Sequence, residues 1–293
     1  MVNLEQLRTF LAVYRARSVS KAAEALNLTQ PAVTKQLKSL EARLGKPLFT
    51  RVPRGVIPTL AAEALAREAG IHLDALEALS STFKLGARTL EGTVYLGGPG
   101  DFLGAKVLPA LAGLHEQGVK LRVKLGMPES LVEELEAGAL DLVISTVRLS
   151  RKGLEFVPVY QETFVLVAGL SWAGRLSAVN AETLAKVPLL AYSEDLPILR
   201  RYWRQVLGKN LQDSASVVIE DLRALALAVQ SGAGVSVLPR YIVEDAIALG
   251  RLVQLLKPAK PPTNTLYLAS RLISPHPRAT FVRQLLLDAA RSW

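Results

Sequence analysis

The sequence predicts an α/β multidomain chain: a small N-terminal helical domain with a hairpin, a long connecting helix, and a larger two-lobed region of alternating strands and helices. Three observations predict it. Residues 18–54, SVSKAAEALNLTQPAVTKQLKSLEARLGKPLFTRVPR, read as helix, tight turn, second helix and basic hairpin. Positive charge is concentrated there: the first 60 residues hold ten Lys/Arg against three Glu, a net +7, out of +9 for all 293 residues. From Gly92 onward, short apolar runs alternate with amphipathic stretches, the β-α-β pattern of sheets flanked by helices.

Composition narrows the classes further. Half the residues are hydrophobic and 21% are charged, as in a globular chain and not a disordered one. No apolar run reaches the roughly 18 residues of a membrane span. The start, MVNLEQLRTF, lacks the basic and apolar regions of a secretion signal, so a cytoplasmic location with no membrane partner is expected. With no cysteine, disulfides, thiolate catalysis and Cys-ligated zinc are excluded. His72, His115 and His276 are far apart in sequence and show no ligand spacing, so no metal and no cofactor is expected.

The first helix follows from Leu4, Leu7, Leu11 and Tyr14 at helical spacing. Ser18 or Ser20 can cap the second, which turns Ala22, Ala23 and Leu26 inward. Asn27-Leu28 makes the turn; Thr29 stands at the next N-cap and Pro31 in the first turn, where a missing N–H costs little. In the third helix Val33, Leu37, Leu40 and Leu44 form a buried stripe. Gln30, Thr34 and Lys38 make a row on the opposite side, with Pro31 and Lys35 beside it. Gln pairs bidentately with adenine, Lys reaches guanine or phosphate, and Thr offers a hydroxyl and a methyl to thymine. On an isolated helix these are solvated polar positions; inside a helix-turn-helix they face a groove. Gly45 ends the helix, Leu48 and Phe49 plug the core, and Arg51 and Arg54 flank a Pro-containing turn as a wing that tracks phosphates or enters the minor groove.

The run AAEALNLTQPAVTKQLKSLEARLGKPLFTR resembles the N-terminal signature of LysR-type transcriptional regulators, through Ala22-Ala23, Leu26, Gln30 to Val33, Leu40-Glu41, Leu44-Gly45, Leu48-Phe49 and Arg51. The resemblance implies a winged helix-turn-helix over residues 1–58. It also implies that Gln30, Pro31, Thr34, Lys35, Lys38, Arg51 and Arg54 contact double-stranded DNA. Where the family often has Ala-Gly early in the next helix, this chain has Ala61-Ala62.

A linker helix is expected over residues 59–90, with Thr59 as its N-cap. Leu65, Ala69, His72, Leu76, Leu79 and Phe83 alternate steps of four and three, a coiled-coil seam that seeks the same helix of a second subunit. Gly70 interrupts the pattern, and packing against the chain's own C-terminal region is the alternative. Leu65, His72, Leu76, Leu79 and Phe83 are therefore candidate dimer contacts.

Within residues 91–293 the expected strands include Thr93–Leu96, Lys120–Leu125, Leu140–Ser145, Phe164–Ala168, Leu189–Tyr192, Ser216–Ile219, Val235–Leu238 and Thr265–Ala269. Helices are expected up to His115 and over Leu131–Glu136, Leu199–Val206, Leu222–Val229 and Thr280–Ser292. The alternation predicts parallel sheets in two lobes, about 91–162 plus 270–293 and about 163–269. Two chain crossings between them leave a cleft for a small ligand.

Leu108-Pro109, Gly126, the run Leu135–Ile144, and Gly232 to Val235 with Leu238-Pro239 are similar to the LysR-type effector domain, itself resembling periplasmic binding proteins. That resemblance implies a small-molecule effector held between the lobes by Gly100, Asp101, Phe102, Met127, Pro128, Ser130, Ser145, Thr146, Ser193 and Leu196. Ser130 and Ser193 could donate to a carboxylate. Asp101 stands where many family members have Ser or Thr; it either repels an anion or serves as a helix cap. A homodimer or homotetramer is implied, with RNA polymerase a further candidate partner.

Enzyme readings fare poorly. Gly98-Pro99-Gly100 begins a dinucleotide-loop pattern, but Leu103 stands where its third glycine belongs, and Gly104-Ala105-Lys106 breaks a P-loop. No Gly-x-Ser-x-Gly elbow occurs. Against a sequence-neutral DNA protein, Gln30 and Thr34 argue for base reading.

Overall fold

The structure, a computed structural model, describes residues 3–53, 55–83, 90–212, 214–273 and 276–293; the side chains of residues 71 and 74–83 lie outside that description. The N-terminal segment comprises α1 (Leu4–Ala16), α2 (Val19–Leu26), α3 (Gln30–Leu44), the hairpin β1 (Phe49–Val52) and β2 (Gly55–Pro58), and α4 (Leu60–Phe83). An oxygen-bearing side chain opens each of the first three helices. Asn3 accepts from the Glu5 amide, Ser18 from Lys21 and Thr29 from Ala32, satisfying amides that have no partner within the helix. Ser18, and not Ser20, is thus the cap of α2. Arg17, Asn27 and Gly45 end these helices in the left-handed region.

Phe10, Val13, Val33, Leu40 and Leu48 form the centre of the N-terminal core. Leu44, expected in the buried stripe, is 36% exposed, because the last turn of α3 runs past the core cluster. Leu4 is exposed for the same reason at the other end of the domain, and Phe10 and Val13 supply the apolar face. In α4, Ala62, Ala66 and Leu73 are buried in this core, with Leu65 and Ala69 packed partly against it. His72 is exposed. The remaining seam side chains, Leu76, Leu79 and Phe83, lie outside the described residues.

Two compact units divide the chain: residues 1–99, 109–159 and 267–293 form one, and residues 100–108 and 160–266 the other. The first therefore contains the N-terminal domain. In it β3 (Gly92–Gly98) runs parallel to both β4 (Val119–Leu125) and β5 (Leu142–Ser145), and α7 (Pro128–Glu136) leads into β5. Between β3 and β4 the single expected helix is broken into α5 (Gly100–Phe102), a π-helical turn (Leu103–Val107), α6 (Leu108–Ala110) and a 3-10 segment (Ala112–Gln117). Pro109, with no N–H to donate, stands in the middle of it. β6 (Leu154–Gly169) and β11 (Thr263–Arg271) are long strands whose residues belong to both units. α13 (Pro277–Ala290) closes the first unit.

The second unit holds α8 (Leu170–Ala173), α9 (Ala181–Leu184), β7 (Leu190–Ala191), α10 (Pro197–Tyr202), β8 (Val217–Val218), α11 (Leu222–Gln230), β9 (Val235–Pro239), α12 (Arg240–Ala248) and β10 (Leu252–Gln254). Sheets expected to be parallel are mixed. β11 is antiparallel to β5, and β6 is antiparallel to β9 and β10. The two long strands cause this, since each enters its sheet against the direction of its neighbours. Helix α12 and strand β10 carry no counterpart in the sequence reading. Among the described residues no helix is long and apolar enough to cross a membrane.

Candidate nucleic-acid interface and effector region

Helix α3 presents Gln30, Pro31, Lys35 and Lys38 to solvent, with Thr34 half-buried between them. All five line one open concavity on the helix surface. Their position follows from the opposite stripe: once Val33, Leu37 and Leu40 are buried, the helical repeat forces this set outward. The Ser20 hydroxyl on α2 donates to the Gln30 Oε1 at 3.3 Å, which orients its amide.

The wing is anchored at three points. Glu41 on α3 accepts from the amides of Leu48 at 2.7 Å and Phe49 at 3.3 Å. The Thr59 hydroxyl donates to the Pro47 carbonyl at 2.8 Å. The Val56 amide donates to the Arg17 carbonyl at 3.0 Å. Gly55 makes the last contact available: its φ is +127°, and a Cβ there would sit 2.4 Å from the Arg17 oxygen. Arg51 stands exposed on β1 opposite Val56. Arg54 lies outside the described residues. Glu41 and Gly55 were missed as positioning residues; the signal available was a single acid in an otherwise basic helix and a glycine closing the wing.

The candidate effector residues fall in both units. In the first, Met127 is 71% exposed and precedes α7, Pro128 occupies its first turn, and Ser130 is exposed beside them. Thr146 is half-buried. Ser145 is fully buried, and its hydroxyl donates to the Val147 carbonyl at 2.6 Å while accepting from the Val147 amide, so it builds the turn after β5.

In the second unit, Leu196 is 2% exposed and belongs to an apolar core with Leu199, Tyr202 and Trp203. Phe102 is fully buried against Tyr160 and Tyr241, with ring centroids 5.2 and 5.5 Å away. Gly100 and Ser193 are half-buried. Asp101 accepts a hydrogen bond from the Tyr241 hydroxyl at 2.6 Å, an arrangement that neither alternative for this residue included. Glu162, 6% exposed, also interacts with this phenol. Burial pushes the Glu162 carboxyl up from 4.5 to about 7; the Asp101 charge adds to the rise, and hydrogen bonds with Tyr241 and Asn264 oppose it. Burial, and then the nearby Glu162 and Asp101 carboxyls, hold the Tyr241 phenol well above its usual range, so it stays a hydroxyl that can donate to Asp101.

Comparison with known proteins agrees with this architecture. Residues 4–63 match the family described as bacterial regulatory helix-turn-helix protein, lysR family, and residues 87–291 match the LysR substrate binding domain. The chain is 40% identical to the HTH-type transcriptional regulator AbaB of Streptomyces antibioticus, over all of both chains. It is 27% identical to the nitrogen assimilation regulatory protein nac of Klebsiella aerogenes, over 98% of this chain and 95% of that one. In fold it is similar to a full-length OxyR variant from Pseudomonas aeruginosa, with a TM-score of 0.78 at 23% identity over 99% and 98% of the two chains. LysG from Corynebacterium glutamicum, solved with bound effector Arg, gives 0.67 at 19% identity over 99% and 98%. The chain belongs to the LysR family of bacterial helix-turn-helix regulatory proteins, a family of transcriptional regulators and not of enzymes.

Proposed function

We propose that this regulator reads a specific duplex sequence through α3 and the wing, and that a small molecule taken up by residues 87–291 changes that binding. The observation that carries the DNA reading is the α3 concavity. Gln30, Pro31, Thr34, Lys35 and Lys38 share it, and two of them are cations that can meet phosphate or guanine. Arg51 and Arg54 add phosphate or minor-groove contacts from the wing. Two copies of α3, held by a dimer through α4, read half-sites about one helical turn apart. Leu65, His72, Leu76, Leu79 and Phe83 are the proposed contacts between the two linker helices, with a homotetramer as the further assembly. RNA polymerase is a proposed contact on the promoter, and the cytoplasm the proposed location.

For the effector, Gly100, Asp101, Met127, Pro128, Ser130, Thr146 and Ser193 are the proposed contacting residues. Phe102, Ser145 and Leu196 support them from the packed interior. The family's substrate-binding region and its likeness in fold to an effector-bound LysG support this reading.

The test is a salt series on a duplex enriched from a random pool and on an unselected duplex. A sequence-specific reader keeps a ratio between them at every salt, and Gln30→Ala lowers that ratio. Equal affinities at all salts would refute base reading. For the effector half, a ligand present at about a hundred times its dissociation constant adds about 2.7 kcal/mol to stability in a metabolite screen.

A further inference from the structure

We propose that the turn Ala137–Gly138–Ala139, between α7 and β5, is a docking seat for the chain's own helices α1 and α4, and that it carries the state of the C-terminal region to the DNA-binding domain. The inference rests on the regulatory reading above and goes beyond it by naming the contact.

Three observations define the seat. Gly70 lies inside α4, where glycine is less favourable than alanine. A Cβ there would meet the Ala137 carbonyl oxygen at 3.1 Å and Leu11 at 3.9 Å, so the glycine admits the turn's backbone against the helix. Ala137 and Ala139, each 6% exposed, are buried in the same apolar cluster as Phe10, Leu11, Ala62, Ala66 and Leu73. Between them, the Arg15 Nε of α1 donates to the Gly138 carbonyl. Gly138 itself has φ +71°, a pose that favours glycine. Small residues on both sides let the backbones meet, and the arginine fixes the register.

The far side of the turn is held by Arg271, at the end of β11. Its guanidinium donates to the carbonyls of Leu135 at 2.8 Å and Leu140 at 2.7 Å, and pairs with Asp141 at 3.4 Å. These partners flank the seat on either side. β11 continues from residues of the second unit, which it leaves after Leu266. A shift in that strand therefore acts on the clamp of the seat directly through the chain. His276 lies in the same neighbourhood. Burial, and then the charges of Arg278, Arg15, Arg271 and Arg8, push its imidazole down to about 2, so it stays neutral beside the α1 arginines. The α3 concavity does not overlap the seat, since Gln30, Lys35 and Lys38 remain exposed. Docking thus orients the DNA-binding domain and leaves its reading face open.

Coupling of this kind is reciprocal: DNA held by α3 must stabilise the seat as much as the seat biases DNA binding. The experiment uses the full chain and a duplex enriched by its own binding from a random pool. Hydrogen exchange is followed at the amides of Ala137, Gly138, Ala139 and Leu140, which donate to the carbonyls of Glu133, Leu135 and Glu134. The expected result is slowing of these amides by about fivefold or more on adding duplex. That slowing disappears in Arg15→Gln and in Gly70→Leu, two variants on different helices, and returns in part in Arg15→Lys. Unchanged exchange at 137–140 in the native chain, or equal slowing in both variants, would overturn the inference. Failure to enrich any duplex would overturn the DNA-binding reading itself, and this inference with it.

Discussion

Glu162→Gln isolates one buried acid and changes little else in shape. In the folded chain the carboxyl titrates at about 7, against 4.5 when unburied. At 1.36 kcal/mol per pKa unit, the difference is at most about 3 kcal/mol. The sign follows from proton counting. At pH 5 the folded chain keeps a proton on Glu162 that the unfolded chain has largely lost. The stabilisation is therefore fully present below pH 4.5 and is lost as pH rises through about 7. Glutamine cannot ionise, so the variant lacks this loss, and relative to the native chain it gains stability on going from pH 5 to pH 8. Trp203, buried in the core of the same unit, and Trp172, packed against that core, make urea unfolding readable by fluorescence. The quantity to plot is the native-minus-variant difference in unfolding free energy at each pH, which cancels the titration of all other groups. Most of the 3 kcal/mol falls between pH 5 and pH 8. A difference that stays flat across that range would refute the reasoning that burial, aided by the Asp101 charge, holds the proton.

Three further outcomes follow from the same structure. Asp141→Asn removes the carboxylate 3.4 Å from the buried Arg271 guanidinium and should destabilise the fold by about 3 kcal/mol in urea titration; a loss below about 1 kcal/mol would refute the contribution assigned to the pair. Lys35→Ala should weaken binding to selected and unselected duplexes alike and lower the salt slope by about 0.9, as for one phosphate contact; an unchanged slope assigns Lys35 to base reading or to no contact. Gly55→Ala forces a Cβ onto the Arg17 carbonyl at a left-handed φ; it should lower DNA affinity and speed exchange of the Val56 amide, and wild-type exchange there would show that the wing tolerates the change.

Much of the N-terminal domain was legible because its determinants are local. Thr29, Pro31 and Gly45 mark the ends of α3 by their own chemistry, and a 3.6-residue repeat sorts Val33, Leu37 and Leu40 from Gln30, Lys35 and Lys38. The family resemblance is densest in the same stretch. Leu44 and Leu4 escaped the pattern because periodicity says which face is apolar and not where the neighbouring helix stops. The C-terminal region was read by element type and not by pairing. Strand direction depends on which distant runs meet, and so β6 and β11 turned an expected parallel sheet into a mixed one.

The outward face of α3, its two ends and the positive charge gathered in the first 60 residues were legible along the chain, since each arises from residues a few positions apart. The remainder came from long-range contacts. Tyr241, 140 residues from Asp101, took up the acid that sequence could assign only to a cap or a ligand. Glu162 acquired its raised titration from burial that no local pattern encodes. Gly70, read along the chain as a flaw in a coiled-coil seam, is the place where the backbone of Ala137 comes to rest. Contacts between residues far apart in sequence exist only after the chain has closed, and desolvation and close approach are properties of those contacts.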